Sequence, residues 1–169
     1  MSRKGFTLIE LLVTIFILSL IMLVAVPNVM NIVDKNKKET YVNDAKKMIT
    51  LAEYKLKSDS SIALPNEGSC IIVLMKALDL SDFSKGVEGG EYDTNNSYVV
   101  IARDNNKYIY MATIIEKYGD RVRGINLSSR DDLNKEGAFN LVKEDEEIET
   151  ITPVLNSSIK GYTVSNIIS

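Results

Sequence analysis

The stretch RKGFTLIELLVTIFILSLIMLVAVP, residues 3–27, decides the fold of this 169-residue chain. As a helix, the 21 residues from Phe6 to Val26 span ~32 Å, which matches the ~30 Å hydrocarbon core of a bilayer. The sequence therefore predicts a membrane-spanning helix, and Glu10 places a carboxylate inside it. The polar residues of the span are Thr7, Glu10, Thr14 and Ser19.

The flanking charges predict the orientation of this helix. Arg3 and Lys4 precede it, and the next basic residue is Lys35. Positive residues stay on the cytoplasmic side, so we expect a cytoplasmic N-terminus. Everything after Pro27 is then outside the membrane.

Two simple interpretations of the segment are open. A secretory signal peptide would be cut at the end of the apolar run, but this run is long and LVAVPNV offers no good site free of Pro27. In a plain signal anchor, Thr7 and Glu10 would form a capping box. Such a cap stabilises a helix by ~1 kcal/mol, whereas a carboxylate within the span costs about 2.5–3.5 kcal/mol. The cap alone does not offset that cost.

The third interpretation rests on KGFTLIELL, residues 4–12. A basic leader, Gly5, Phe6, Glu10 and an apolar run up to Pro27 resemble the class III signal of type IV pilins and pseudopilins. The resemblance implies that a membrane-embedded prepilin peptidase cuts after Gly5 and methylates the new N-terminus, Phe6. The leader would be residues 1–5.

The resemblance also implies a partner for Glu10. Cleavage creates an α-amino group on Phe6, which is protonated near neutral pH, about one helical turn from Glu10. In a bundle of helices, Glu10 of an incoming subunit can meet the Phe6 amine of its neighbour. A buried charge is tolerable when it is paired, so Glu10 would select one register during assembly.

The helical pattern continues beyond Pro27, which predicts either a kink or a break. The resemblance favours a single helix that is kinked or locally melted at Pro27. We expect an assembly helix at 6–27 and an extracellular head at 28–169 that includes an amphipathic helical half at 28–57. The predicted apolar face of that half is Tyr41, Val42, Ala45, Met48, Ile49, Ala52 and Leu56.

The head shows mixed local patterns. The segments SYVVIAR and KYIYMATII, on the two sides of Asp104-Asn105-Asn106, have the β-branched and aromatic composition of strands and predict a β-hairpin from Ser97 to Ile115. We also expect a short buried helix from Ser69 to about Asp79. The resemblance implies an α+β fold in which the long helix packs on an antiparallel sheet. Further expectations are a strand at RVRGINL (121–127), a helix in SSRDDLNKEGAFNLV (128–142) opened by Ser128 or Ser129, and an edge strand or tail at KGYTVSNI (160–167).

The composition argues against an enzyme. The chain has no His and one Cys, so neither a Ser/His nor a Cys/His nucleophilic site can be built. We expect no cofactor and no metal. The acidic run at 144–149 lacks the Asp-x-Asp-x-Asp-Gly pattern of a calcium loop and predicts a solvated face. Cys70 is expected to be a small buried hydrophobe, and an intermolecular bridge is the alternative.

A local basic region is a candidate DNA contact, although the net charge of −3 gives no general attraction to nucleic acid. Tyrosines alternate with these cations, and such surfaces bind backbones and stack bases. The alternative is that the tyrosines belong to the hairpin core and the cations are ordinary surface charge. The candidates are Arg103, Lys107, Lys117, Arg121, Arg123 and Arg130.

The functional expectation is a type IV pilus subunit, inserted in the cell membrane as a prepilin and then polymerised into an extracellular filament. Its implied partners are other pilin subunits, the prepilin peptidase, the pilus assembly machinery, the membrane and extracellular DNA. Two alternatives stay open. One is a pseudopilin of a secretion or competence apparatus, and the other is a signal-anchored surface module that never polymerises.

Overall fold

The computed structural model of the protein describes residues 7–83 and 85–169. The chain divides into two compact units, residues 1–36 and residues 37–169. Helix α1 (Leu8–Ser58) supplies all the described structure of the first unit and the first element of the second. An eight-stranded sheet completes the second unit, which we call the head. The predicted α+β class is therefore confirmed.

The sheet of the head is mixed rather than purely antiparallel. Its order is β6-β5-β4-β3-β1-β8-β7, and β2 pairs with β4 outside this path. All pairs are antiparallel except β1 with β8. The strands are β1 (Ser69–Leu74), β2 (Glu91–Tyr92), β3 (Tyr98–Asp104), β4 (Lys107–Tyr118), β5 (Arg121–Ser129), β6 (Val142–Glu144), β7 (Ser158–Ile159) and β8 (Tyr162–Ile168).

Within the head, the second half of α1 packs its predicted apolar face on the sheet. Six of the seven expected residues are buried, and Leu56 is half-buried against the same cluster. Each buried aliphatic side chain of this kind contributes about 1.5–3 kcal/mol. The sheet residues that meet this face include Val73, Val99, Ile101 and Ile114.

The predicted helix from Ser69 to Asp79 is wrong, because this segment forms β1. The strand is followed by a 3-10 turn, Met75–Ala77. The run is apolar on both faces of the sheet: Ile71 is buried, Val73 meets α1, and Cys70 and Ile72 pack in a second cluster on the other side. A central strand buried on both faces shows no alternation, and a short apolar run does not distinguish it from a helix.

The predicted hairpin and third strand are confirmed. Strands β3 and β4 pair from Tyr98–Thr113 to Asp104–Lys107. Asn105 and Asn106 form the turn with φ of 49° and 61°, the left-handed values that a tight two-residue hairpin requires and that Asn tolerates. Strand β5 follows after the turn at Gly119 and Asp120.

The helix expected within 128–142 is shorter than predicted. Ser129 is the N-cap and its side chain accepts a hydrogen bond from the Asp132 amide, but α2 (Arg130–Asn134) has only five residues. The helix ends because Lys135 adopts an extended conformation, and Gly137, at φ 78°, then begins a separate 3-10 turn, Ala138–Leu141. The C-terminal segment is strand β8 and not a tail, but the expected edge position is wrong, because β8 pairs in parallel with β1 and antiparallel with β7. Cys70 is fully buried, as predicted.

Candidate functional site

The described part of the N-terminal segment begins with a capping box. Glu10 Oε2 accepts hydrogen bonds from the Thr7 amide at 2.8 Å and the Thr7 hydroxyl at 2.9 Å, and the Glu10 amide donates to Thr7 Oγ1 at 3.3 Å. A carboxylate placed here satisfies an amide that the first turn of a helix leaves without a partner. In a single chain, Glu10 therefore caps its own helix. Arg3, Lys4, Gly5 and Phe6 lie outside the described residues.

The first unit exposes its apolar side chains on all sides. Every residue from Thr7 to Val33 is exposed, and Leu8 is 82% accessible. Within the described residues, α1 is the helix that is long and apolar enough to cross a membrane. A continuous apolar surface of this size is unfavourable in water. It requires either lipid or the helices of other molecules around it.

Helix α1 continues through Pro27, so the alternative of a break between two helices is wrong. Pro27 has no amide hydrogen and cannot donate to the carbonyl of Leu23. One residue later, the Asn28 side chain donates to the Val24 carbonyl at 3.0 Å. The kink at Pro27 stays a prediction.

In the head, a buried carboxylate joins α1 to the sheet and to a loop. Glu116 is fully buried, and its Oε2 accepts a hydrogen bond from the Tyr41 hydroxyl of α1 at 2.6 Å. Its Oε1 accepts from the amides of Glu88 at 3.0 Å and Gly90 at 2.9 Å. A Cβ on Gly86 would lie 2.1 Å from Glu116 Cδ, so a larger residue at position 86 would displace the carboxylate from its present position.

A second carboxylate of that loop holds two cations. Glu88 contacts Lys37 Nζ of α1 at 2.6 Å and Arg123 Nη1 of β5 at 2.5 Å. Burial raises the pKa of Glu88, but the hydrogen bonds from Lys37 and Arg123 outweigh burial and hold the pKa below its usual value. Arg123 also contacts Glu144 at 2.9 Å and is 5% exposed.

A third contact ties the same loop to α1. The Tyr92 hydroxyl donates to Asp44 Oδ2 at 2.6 Å. Burial, and then the bond to Asp44, raises the pKa of Tyr92, while burial raises the pKa of Asp44. These polar contacts fix the loop 86–92 on α1, directly at Lys37 and Asp44 and through Glu116 at Tyr41.

Sequence reasoning missed Glu116, although a signal for it exists. Side chains two apart in a strand share a face, so Glu116 lies on the side of Ile114, which packs against α1. A charged residue that lies on the buried face of a strand indicates a buried hydrogen bond or ion pair with a partner. The identity of its partner, Tyr41, depends on tertiary structure and has no local signal.

Five of the six candidate DNA contacts pair with carboxylates of this chain. Arg123 was described above. The other pairs are Arg103 with Glu67 at 3.9 Å, Lys117 with Asp93 at 2.6 Å, Arg121 with Glu144 at 3.0 Å and Asp145 at 3.1 Å, and Arg130 with Glu53 at 2.6 Å.

The candidates also fall into separate groups. Arg103 and Lys107 lie at the turn between β3 and β4, whereas Lys117, Arg121 and Arg123 lie at the other end of β4. Ten residues of strand, or ~33 Å, separate Lys107 from Lys117. Arg130 lies over the ring of Tyr110, 4.3 Å from its centre. DNA contact stays a prediction.

The acidic run is partly structural. Glu144 and Asp145 hold Arg121, and Asp145 also accepts a hydrogen bond from the Val122 amide at 3.2 Å. Glu146 and Glu149 are exposed, as expected of a solvated face. Among the described residues, no three carboxylate or thiol side chains are grouped as a metal site would need.

Comparison with known proteins identifies the N-terminal segment. The family model of the prokaryotic N-terminal methylation motif matches residues 1–26. This motif is the class III signal of type IV pilins and pseudopilins, and it supports a structural protein of that type. No curated protein and no solved structure matches the chain.

Proposed function

We propose that this chain is a type IV pilin-like subunit that is cleaved after Gly5, methylated at Phe6 and polymerised into a surface filament. The observation that carries the proposal is the methylation motif at residues 1–26, which includes the start of helix α1, together with the exposure of every residue from Thr7 to Val33. The motif supplies the processing signal, and the helix supplies a surface that other subunits can bury.

The apolar helix serves two environments in turn. In the precursor it lies in the cell membrane, with Arg3 and Lys4 on the cytoplasmic side and the head outside. In the filament, the helices of neighbouring subunits replace the lipid. Prepilin peptidase and the assembly machinery act on the chain, and the chain itself has a structural role.

Glu10 changes partner between these two states. In the single chain it accepts hydrogen bonds from Thr7. In the filament it pairs with the methylated amine of Phe6 on a neighbouring subunit. A buried carboxylate without a cation is costly, so a neighbour in the wrong register is excluded.

One observation favours a second candidate, a signal-anchored module that does not polymerise. The capping box between Thr7 and Glu10 is formed, and it gives Glu10 a role without any neighbour. A pseudopilin, whose filament stays short, is a variant of the first candidate. Electron microscopy of surface filaments separates the pilus from the pseudopilus.

Substitutions at positions 7 and 10 separate the filament subunit from the plain anchor. Glu10→Ala removes the carboxylate, whereas Thr7→Val removes the capping hydroxyl and keeps the carboxylate. The filament account predicts that Glu10→Ala abolishes sheared filaments at normal membrane levels and that Thr7→Val retains them. Equal surface display of the unsubstituted chain and both variants, with all three absent from sheared filaments, would support the anchor.

Adhesion, motility or biofilm formation are the uses that such a filament would serve. DNA contact would add a ligand, with Lys107 the one candidate cation that has no ion pair to another described residue. Retention of DNA by filaments of the unmodified chain and of Lys107→Gln tests it. Equal retention would remove Lys107 from the contact.

A further inference from the structure

The head has an apolar groove at the end of α1. The cavity has a volume of about 360 Å³ and lies between the last turns of α1, the loop that follows the helix, and strands β3 and β4. We call it the end groove. Leu64 and Tyr108 are 55% and 39% exposed there. Its apolar lining is Leu56, Ile62, Leu64, Ile101, Tyr108 and Tyr110.

A second apolar surface lies on the segment 145–157, which we call the crossing segment. It joins β6 to β7, the two opposite ends of the sheet order. Two of its own residues, Ile148 and Pro153, are buried. Three large apolar side chains point outward instead and form what we call the ridge: Ile151 at 50%, Val154 at 59% and Leu155 at 54% exposure.

The ridge and the end groove lie on opposite faces of the sheet. Ile101 and Tyr110 of the groove belong to the cluster that packs with α1. The crossing segment must traverse the sheet from end to end, and α1 occupies that first face. Tyr98 and Ile159 belong to the second cluster, on the other face, and burial and then the charge of Glu149 of the crossing segment raise the pKa of Tyr98, so the segment lies on that side. Hydrogen bonds hold it there, from Thr152 to the Asn96 side chain at 2.8 Å and from the Asn156 amide to the Val164 carbonyl at 2.9 Å.

We propose that the ridge of one subunit docks into the end groove of a second copy of this chain. The contact rests on the proposed function, because it joins heads within a filament. A ridge and a groove on different surfaces of one molecule make a heterologous contact, which leaves a free ridge and a free groove after each addition. Such a contact propagates into a helical array instead of closing as a dimer.

The size of the contact selects the occupant. A stable interface between free proteins buries about 800 Å² on each partner, and three aliphatic side chains cannot cover such an area. The ridge is therefore too small to capture a free protein. It suffices between subunits whose N-terminal helices already hold them together, because tethering replaces bimolecular association by a high effective concentration.

Cysteine cross-linking in filaments tests the contact. We would place Val154→Cys and Leu64→Cys in the full chain, express it in the native host, shear the filaments, oxidise them and separate them on a non-reducing gel. Each chain then carries one ridge thiol and one groove thiol, so the expected result is a ladder of dimers, trimers and longer oligomers. The native thiol, Cys70, is fully buried and gives no background.

The controls separate this contact from general proximity. Each single variant should give no ladder. Val154→Cys with Asp120→Cys keeps the ridge thiol but places the second thiol on an exposed turn at the opposite end of β4 from Tyr108. It should also give none. If the double variant forms no filaments, charge rescue replaces it: Leu155→Glu should reduce filaments and Leu64→Lys should restore them.

The results decide between three outcomes. A ladder from the ridge–groove pair, or the rescue, supports the contact. The ridge–groove contact is overturned if filaments form but neither this pair nor Leu155→Cys with Ile62→Cys gives a ladder. It is also overturned if the disulfide joins the chain to a protein of another sequence. The proposed function stands in both cases. If the chain without substitutions is not found in processed form in sheared filaments, both the contact and the proposed function are overturned.

Discussion

The Tyr41 hydroxyl lies 2.6 Å from Glu116 Oε2, and both side chains are fully buried. This bond joins α1 to β4 across the core of the head. The same carboxylate accepts two amides of the loop 86–92. One buried charge thus positions the helix, the sheet and the loop, and buried charges are tolerated only with such partners.

The first prediction concerns this carboxylate. In Glu116→Gln, an amide NH₂ replaces an acceptor and leaves at least one buried donor without a partner. We expect the free energy of unfolding to fall by about 2–3 kcal/mol, as for hydrogen bonds to charged groups. Denaturant unfolding of the full chain in detergent micelles measures it.

Glu91→Gln is the matched control for that change, because Glu91 is exposed on the neighbouring strand β2. Tyr41→Phe completes a double-mutant cycle, and the two changes should not be additive. Equal midpoints for Glu116→Gln and Glu91→Gln would show that the buried carboxylate contributes nothing.

The second prediction concerns acid. The pKa of Glu53 is lowered by Arg130, and the pKa values of Glu88 and Asp93 are lowered by their cation partners in spite of burial. Their stabilisation is therefore complete above the ordinary carboxylate pKa, near 4, and is lost as the pH falls through the lowered values. Asp44, whose pKa is raised by burial, acts in the opposite direction.

We expect the head to lose stability as the pH falls below about 4, because the unfolded chain binds protons at these carboxylates before the folded head does. Lys37→Met should flatten this decline, because Glu88 loses one of its two cations. Unfolding followed by circular dichroism between neutral pH and acid checks both statements. An unchanged acid slope in Lys37→Met would contradict the role of Glu88.

The third prediction concerns a close backbone approach. A Cβ on Gly124 would lie 2.0 Å from the carbonyl oxygen of Ile114, so β4 and β5 would have to separate. We expect Gly124→Ala to cost about 1–3 kcal/mol, as overpacking does. In the control, Gly68→Ala, the Cβ meets no atom within 4 Å and the cost comes only from a φ of 73°. The midpoint of thermal unfolding should be lower for Gly124→Ala than for Gly68→Ala. The reverse order would contradict the close approach of β5 to β4 at Gly124.

The fourth prediction concerns Cys70. Burial raises the pKa of its thiol to about 11, so it is protonated and inaccessible in the folded head. We expect no reaction with a thiol reagent under native conditions and full reaction after denaturation. Rapid native labelling would show that the sheet opens around Cys70, which pairs with Ala102 and Val164.

The sequence predicted the elements whose signals are local. The apolar face of α1 repeats with the helical period, and Asn105-Asn106 is turn chemistry between two alternating segments, so both were predicted correctly. The run from Cys70 to Leu74 was predicted as a helix because a strand buried on both faces carries no period. Its parallel partner β8 is more than eighty residues away and gives no local signal.

The polar contacts could not be predicted for the same reason. From the sequence alone, Arg121 and Arg123 are indistinguishable from ordinary surface cations. In the structure they pair with Glu144 and Asp145, some twenty residues later. Pairing at that separation is decided by the register of β5 against β6. The capping box between Thr7 and Glu10, by contrast, is visible in the spacing alone.

The central claim is that the chain is processed and polymerised, and mass spectrometry of the N-terminal peptide from sheared filaments of the native host tests it most directly. We predict a mature chain that begins at Phe6 and carries one added methyl group. A chain that keeps Met1 or Ser2 and occurs only in the membrane fraction, in cells with an active prepilin peptidase, would contradict the account. Glu10 would then be the cap of a simple anchor.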